Sequence, residues 1–195
     1  MTEQGRELLK AIKSMRNLFG DVSHLLRTAE ALMGERSWEV NTGSGCLYDM
    51  SYSVNAGHLW MPREAVRTFK SDSYPEMIAM IAVLLDDYKI EEYELEEPVV
   101  SGSYFVFPKK MEMDKVKLDF YQSRQFGWCE AGVDGTPVEM NDSDKYWLKE
   151  YGWKYMQVFG RPLVEVTNEE ALKEKIIDPL LSLIHQRVTE KIKPK

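Results

Sequence analysis

The sequence predicts an α+β protein: a mainly antiparallel sheet with N-terminal and C-terminal helices packed on one face. Three observations carry this. The two ends of the chain have apolar residues at helical spacing, and the middle holds β-type runs separated by turn residues. The order of elements also lacks the regular βαβ alternation of a parallel sheet. The 195 residues form one expected domain, 1–195, with no internal repeat and no low-complexity linker. A chain of this length buries enough surface to fold without disulfides or a metal.

At the N-terminus Leu8, Ile12, Met15, Phe19, Val22, Leu26, Ala29 and Met33 alternate spacings of four and three. This is a heptad-like stripe, widened by Leu9, Leu18, Leu25 and Leu32. Glu7, Lys10, Lys13, Arg16, Arg27 and Glu30 form its polar side. Gly34 stands where a C-terminal cap is expected. Gly20-Asp21 is the weak point, where the segment either splits into two helices or loses some stability.

Residues 41–45 (Asn-Thr-Gly-Ser-Gly) read as a turn or loop. Cys46, Tyr48, Met50, Tyr52 and Val54 then alternate with other residues, as in a half-buried strand. Pro62 suits the first turn of a short helix over 63–70. Residues 77–85 are nine apolar residues in a row, stopped by Asp86-Asp87. Their length and abrupt end favour a central strand, with helix as the alternative because of Ala79, Ala82 and Pro75. Residues 98–107 are rich in valine and aromatics and predict the next strand, antiparallel to 77–85, with Gly102 at a bulge.

Val116, Leu118 and Phe120 alternate with charged residues like a further strand, and residues 130–137 are turn-rich. Asp142-Ser143 predicts a cap for a helix over 144–151, ended by Gly152. Residues 153–166 predict one or two short strands around Gly160-Arg161-Pro162. Thr167 followed by Glu170 matches a capping box, with Thr167 as the cap. The helix that follows places Leu172, Ile176, Leu180, Leu183, Ile184 and Val188 on one stripe, and Pro179 predicts a kink near Ile176.

The chain has 25 Lys and Arg against 32 Asp and Glu, for a net charge of -7, which argues against a duplex-DNA binder. Arg187, Lys191, Lys193 and Lys195 read as a solvated helix end. No apolar run is long enough to span a bilayer. The first residues lack the pattern of a secretory signal, and Cys46 and Cys129 do not make a disulfide framework, so a reducing cytoplasm is expected.

Most catalytic chemistries lack their residues here. His24, His58 and His185 stand in no zinc-binding spacing, Gly45 is followed by Cys46 rather than Lys as in a P-loop, and no G-x-S-x-G elbow occurs. His58 with Cys46 or Cys129 would make a nucleophile–base pair only if the fold brought them together. Asp86, Asp87 and Glu97 flank the acidic stretch after the apolar run and are the weak candidates for a divalent cation, which prefers oxygen ligands. A solvated acidic connection is the plainer reading. Trp147 and Trp153 mark an aromatic-rich region that is either a ligand surface or core.

No cofactor is implied. The function expected is a non-catalytic protein-interaction or assembly module. Its partner or second copy would dock on Leu8, Ile12, Met15, Phe19, Val22 and Leu26. The alternative is a small metal-dependent hydrolase built on the acidic cluster. Nucleic acid is disfavoured as a partner by the charge, and a membrane by the absence of a span.

Overall fold

A computed structural model describes residues 2–41, 47–48, 55, 62, 64–85, 97–108, 132–141 and 153–192. Among them, helix α1 (Glu3–Gly34) precedes strands β1 (Glu39–Val40), β2 (Leu47–Tyr48), β3 (Glu64–Lys70), β4 (Met77–Leu84), β5 (Val99–Val106), β6 (Val138–Asn141) and β7 (Tyr155–Pro162). A 3-10 turn (Leu163–Glu165) leads to α2 (Glu169–Leu172), a π-helical turn (Lys173–Ile177) and α3 (Asp178–Ile192). The strands form one sheet in the order β1-β3-β4-β5-β7-β6, with β2 also beside β3, and every pairing is antiparallel.

The apolar run is the central strand. β4 is buried along its whole length, which is why it reads as continuous rather than alternating. It pairs with β3 from Glu64↔Leu84 to Lys70↔Ile78 and with β5 from Met77↔Val106 to Leu84↔Val99. β3 corrects the expectation of a short helix after Pro62. Val66, Thr68 and Phe69 favour a pleated surface, and seven residues of pairing with β4 outweigh the proline signal.

No bulge forms at Gly102, because the ladder runs unbroken through Ile81↔Gly102↔Phe159. The glycine serves packing instead: a Cβ there would lie 2.8 Å from Phe159 Cζ. β7 is one strand, not two. Of the strand expected around 46–54, β2 is the part described; the rest lies outside the described residues, as do the strand expected within 111–128 and the helix expected over 144–151.

Alternation along the strands sorts the sheet into two faces. One face presents Ala65 and Phe69, Met77, Ala79, Ile81 and Val83, Val100, Tyr104 and Val106, and Tyr155 and Phe159. These share one core cluster with Val22, Leu26, Ala29, Leu32 and Met33 of α1 and with Ile176, Ile177, Leu180 and Ile184. The terminal helices therefore lie on the same face. The other face is also buried, from Val66 and Thr68 through Ile78, Met80 and Ala82 to Ser101, Ser103 and Phe105. Among the described residues no helix lies on it.

α1 is a single helix that continues through Gly20-Asp21. Thr2 caps its start, with Oγ1 accepting from the Gly5 N–H at 3.2 Å. Its end differs from the expected glycine cap. Gly34 is still helical, and Ser37 takes the left-handed conformation at φ 61°. The Trp38 N–H bonds to the Met33 carbonyl and the Ser37 N–H to the Gly34 carbonyl, both at 3.0 Å. That pair is the Schellman arrangement, completed by burial of Trp38 and Met33.

At the C-terminal helix the cap is Asn168 rather than Thr167. Its Oδ1 accepts from the Ala171 N–H at 2.8 Å. The kink expected near Ile176 takes the form of the π turn, whose wider winding ends just before Pro179. Pro179 follows directly after that turn, inside an unbroken helical run, and the wider winding before it makes room for a residue without an N–H.

Candidate functional site

The heptad stripe of α1 divides near Gly20. C-terminal to it, Val22 and Leu26 are each 3% exposed and belong to the core. N-terminal to it, Leu8 is 64%, Leu9 42% and Ile12 39% exposed, while Met15 and Phe19 are half-buried. So the six residues expected to bind a partner split. Val22 and Leu26 are corrected to core residues because the sheet takes them, whereas Leu8, Ile12, Met15 and Phe19 stay outside the core cluster.

The division has a geometric cause. A helix of 32 residues is about 48 Å long at 1.5 Å per residue. Its buried residues are Val22, Leu26, Ala29, Leu32 and Met33, so the core covers the C-terminal part of the helix and leaves the N-terminal part uncovered. We call residues 3–20 the arm; Leu18, at its base, still packs against the core cluster.

The docked half is held firmly. Arg67 of β3 pairs with Glu30. Arg36 donates to the Leu32 carbonyl at 2.8 Å and pairs with Asp178 at 3.3 Å, and Lys173 Nζ reaches the same carboxylate at 2.7 Å. Trp38 stacks on Tyr74 with centroids 5.7 Å apart. Each partly exposed ion pair contributes at most about 1 kcal/mol, so burial of the apolar stripe dominates the anchoring.

Along the arm, Glu3–Arg6 at 3.2 Å and Glu7–Lys10 at 2.7 Å stabilise the helix at i,i+3 spacing. Arg6, Lys10, Lys13 and Arg16 outnumber Glu3 and Glu7, so the arm is cationic on an anionic chain. Chemically it is a preformed helix with an apolar seam, cationic on one flank, and it carries no nucleophile–base pair.

A second polar cluster sits under α3. The Tyr104 hydroxyl donates to Gln157 Oε1 at 2.8 Å, and the Tyr155 hydroxyl to Glu139 Oε2 at 2.7 Å. The Arg187 guanidinium lies 3.6 Å from the Tyr155 ring centroid. Burial pushes the Tyr104 phenol up to about 12. Burial and the Glu139 hydrogen bond push Tyr155 up as well. Both phenols stay neutral, so the cluster fastens α3 to the β6–β7 edge.

The remaining sequence candidates do not converge. Asp86, Asp87, Trp147, Cys46, Cys129 and His58 lie outside the described residues. Glu97 is exposed just before β5, and among the described residues no three His, Cys, Asp or Glu side chains group as a metal site. Trp153 is buried rather than part of a ligand surface, its ring 6.1 Å from that of Phe105. His24 is exposed on α1 and shares a hydrogen bond with Thr28, and His185 is exposed on α3.

Sequence reasoning missed the Glu30–Arg67 pair, the Gly102–Phe159 contact and the tyrosine cluster. All three join distant segments and leave no local spacing signal. Among the described residues no helix is long and apolar enough to cross a membrane. Comparison of the chain with family models, curated proteins and solved structures finds no match.

Proposed function

We propose that this chain is a non-catalytic interaction or assembly module that docks a protein through the arm. The supporting observation is the exposure of Leu8, Leu9 and Ile12 on a helix whose other half is anchored in the core. Exposed leucine and isoleucine side chains in register on one helix form a helix-in-groove or helix-pairing surface. Because the arm is already folded, binding through it does not pay to order a disordered segment. The two cysteines, far apart in sequence, suit a reducing compartment such as the cytoplasm.

The test is a photo-crosslinking residue at position 12, with a control at exposed position 31 on the docked half. Position 12 is expected to give a protein adduct that Leu8→Asp abolishes, with no adduct at position 31. An adduct at position 12 that Leu8→Asp leaves unchanged, or none at all, refutes docking through the arm.

A further inference from the structure

We infer that the occupant of the arm is the arm of a second copy, paired antiparallel. This rests on the reading of the arm as a docking surface and names what docks there. The 4-3 spacing of Leu8, Ile12, Met15 and Phe19 is a 3.5-residue period, the period at which one helix keeps its seam against another. The complement of such a seam is a second helix with the same spacing, and this chain supplies one.

The pairing register follows from side-chain size and charge. If residue i of one arm lies level with residue 27−i of the other, Leu8 meets Phe19 of the second copy and Ile12 meets Met15 of the second copy. The two-fold axis repeats both layers, so four apolar layers form. In the same register Lys10 is level with Asn17, Lys13 with Ser14, Arg16 with Ala11, Glu7 with Gly20 and Arg6 with Asp21. No like charges are level. Parallel in-register pairing would instead set every charge beside its own copy and bring two anionic bodies together. Antiparallel pairing puts the bodies at opposite ends and each cationic arm tip beside the other body.

The area suits a reversible dimer. In this register the two arms overlap over residues 7–20, 14 residues or about 21 Å, and two such helices of about 10 Å diameter hide roughly 800 Å² in total, less than a permanent interface needs. The dimer is therefore expected to dissociate on dilution through the micromolar range, rather than to be permanent.

Sedimentation equilibrium from about 1 to 200 µM tests this on the full chain, with Ile12→Asp as the first variant and Leu8→Lys as the second. A spin-labelled unnatural residue at position 3 gives the orientation. The expected result is a monomer–dimer equilibrium that either variant weakens at least ten-fold without loss of folding. The two labels should be separated by about 30 Å along the rod, 21 residues at 1.5 Å each.

A monomer at every concentration overturns the second copy as occupant and leaves the arm to a different protein. A dimer that both variants leave intact overturns this inference and moves self-association to another surface, while docking of a different protein on the arm is decided by the crosslinking test. A label separation under about 20 Å overturns the antiparallel arrangement.

Discussion

Leu8 and Leu26 lie on one stripe of one helix and differ in what surrounds them, so the same deletion at each site isolates the effect of burial. Leu26 is 3% exposed within the core cluster that α1 shares with the sheet; Leu8 is 64% exposed. Leucine and alanine have similar helix propensities, so the helix itself contributes little to the difference. Leu26→Ala loses the transfer free energy of a buried side chain and leaves a partly unrelaxed cavity, a cost of about 3 kcal/mol. For a chain of this size each kcal/mol shifts Tm by about 2–4 °C, so Leu26→Ala is expected to lower Tm by about 6–12 °C. Leu8→Ala should stay within about 0.5 kcal/mol, or about 2 °C. The assay is thermal unfolding by circular dichroism at about 1 µM, where arm pairing adds little by mass action. A loss of more than about 1.5 kcal/mol for Leu8→Ala, or none for Leu26→Ala, would falsify the division of the stripe near Gly20.

Further predictions concern the packing and the titrating groups. Gly102→Ala places a methyl 2.8 Å from Phe159 Cζ and 3.5 Å from Ile176 Cγ2. Urea unfolding should show a loss of about 1–3 kcal/mol, and Phe159→Leu should cost less in that background than in wild type; simple additivity would show that the two do not touch. Gly20→Ala fills open space on an exposed helix position and is expected to stabilise by about 0.5–1 kcal/mol, whereas destabilisation would mean that α1 breaks there. Ser37→Gly relieves a left-handed residue at φ 61° and is expected to stabilise by about 1 kcal/mol; a lower Tm would contradict the Schellman end. Tyr104 titrates near 10 unfolded and about 12 folded. The unfolded chain therefore binds fewer protons between those values, and stability falls as pH rises from 10 to 12. Tyr104→Phe should flatten that fall, and an unchanged slope would remove Tyr104 as its cause.

The sequence carried the fold where a local pattern had a single physical meaning. The apolar run ending at Asp86 gave the central strand, the valine and aromatic residues of β5 gave its neighbour, and Pro179 located the disturbance that became the π turn. It misled where a local signal met a tertiary one. Pro62 suggested a helix start, but Glu64–Lys70 complete a ladder with β4. Gly34 offered a left-handed cap, yet it is still helical, and the left-handed residue comes three positions later, at Ser37, next to buried Trp38.

Gly102 shows the same limit, because what lies above a strand residue depends on Phe159, 57 positions away in sequence. The candidate site was legible as a stripe but not as a site. Leu8 and Leu26 look alike in sequence, and only the extent of the sheet decides which of them is covered. Trp153 was ambiguous for a related reason: an indole suits a rim or a core equally, and Phe105 determines which.

Sedimentation velocity of wild type and Ile12→Asp side by side at about 100 µM tests most directly whether the arm is the surface of assembly. The wild-type chain should sediment faster than a monomer and slow down on dilution, while Ile12→Asp stays monomeric with an unchanged Tm. Identical sedimentation of the two proteins, fast or slow, would contradict assembly through the arm.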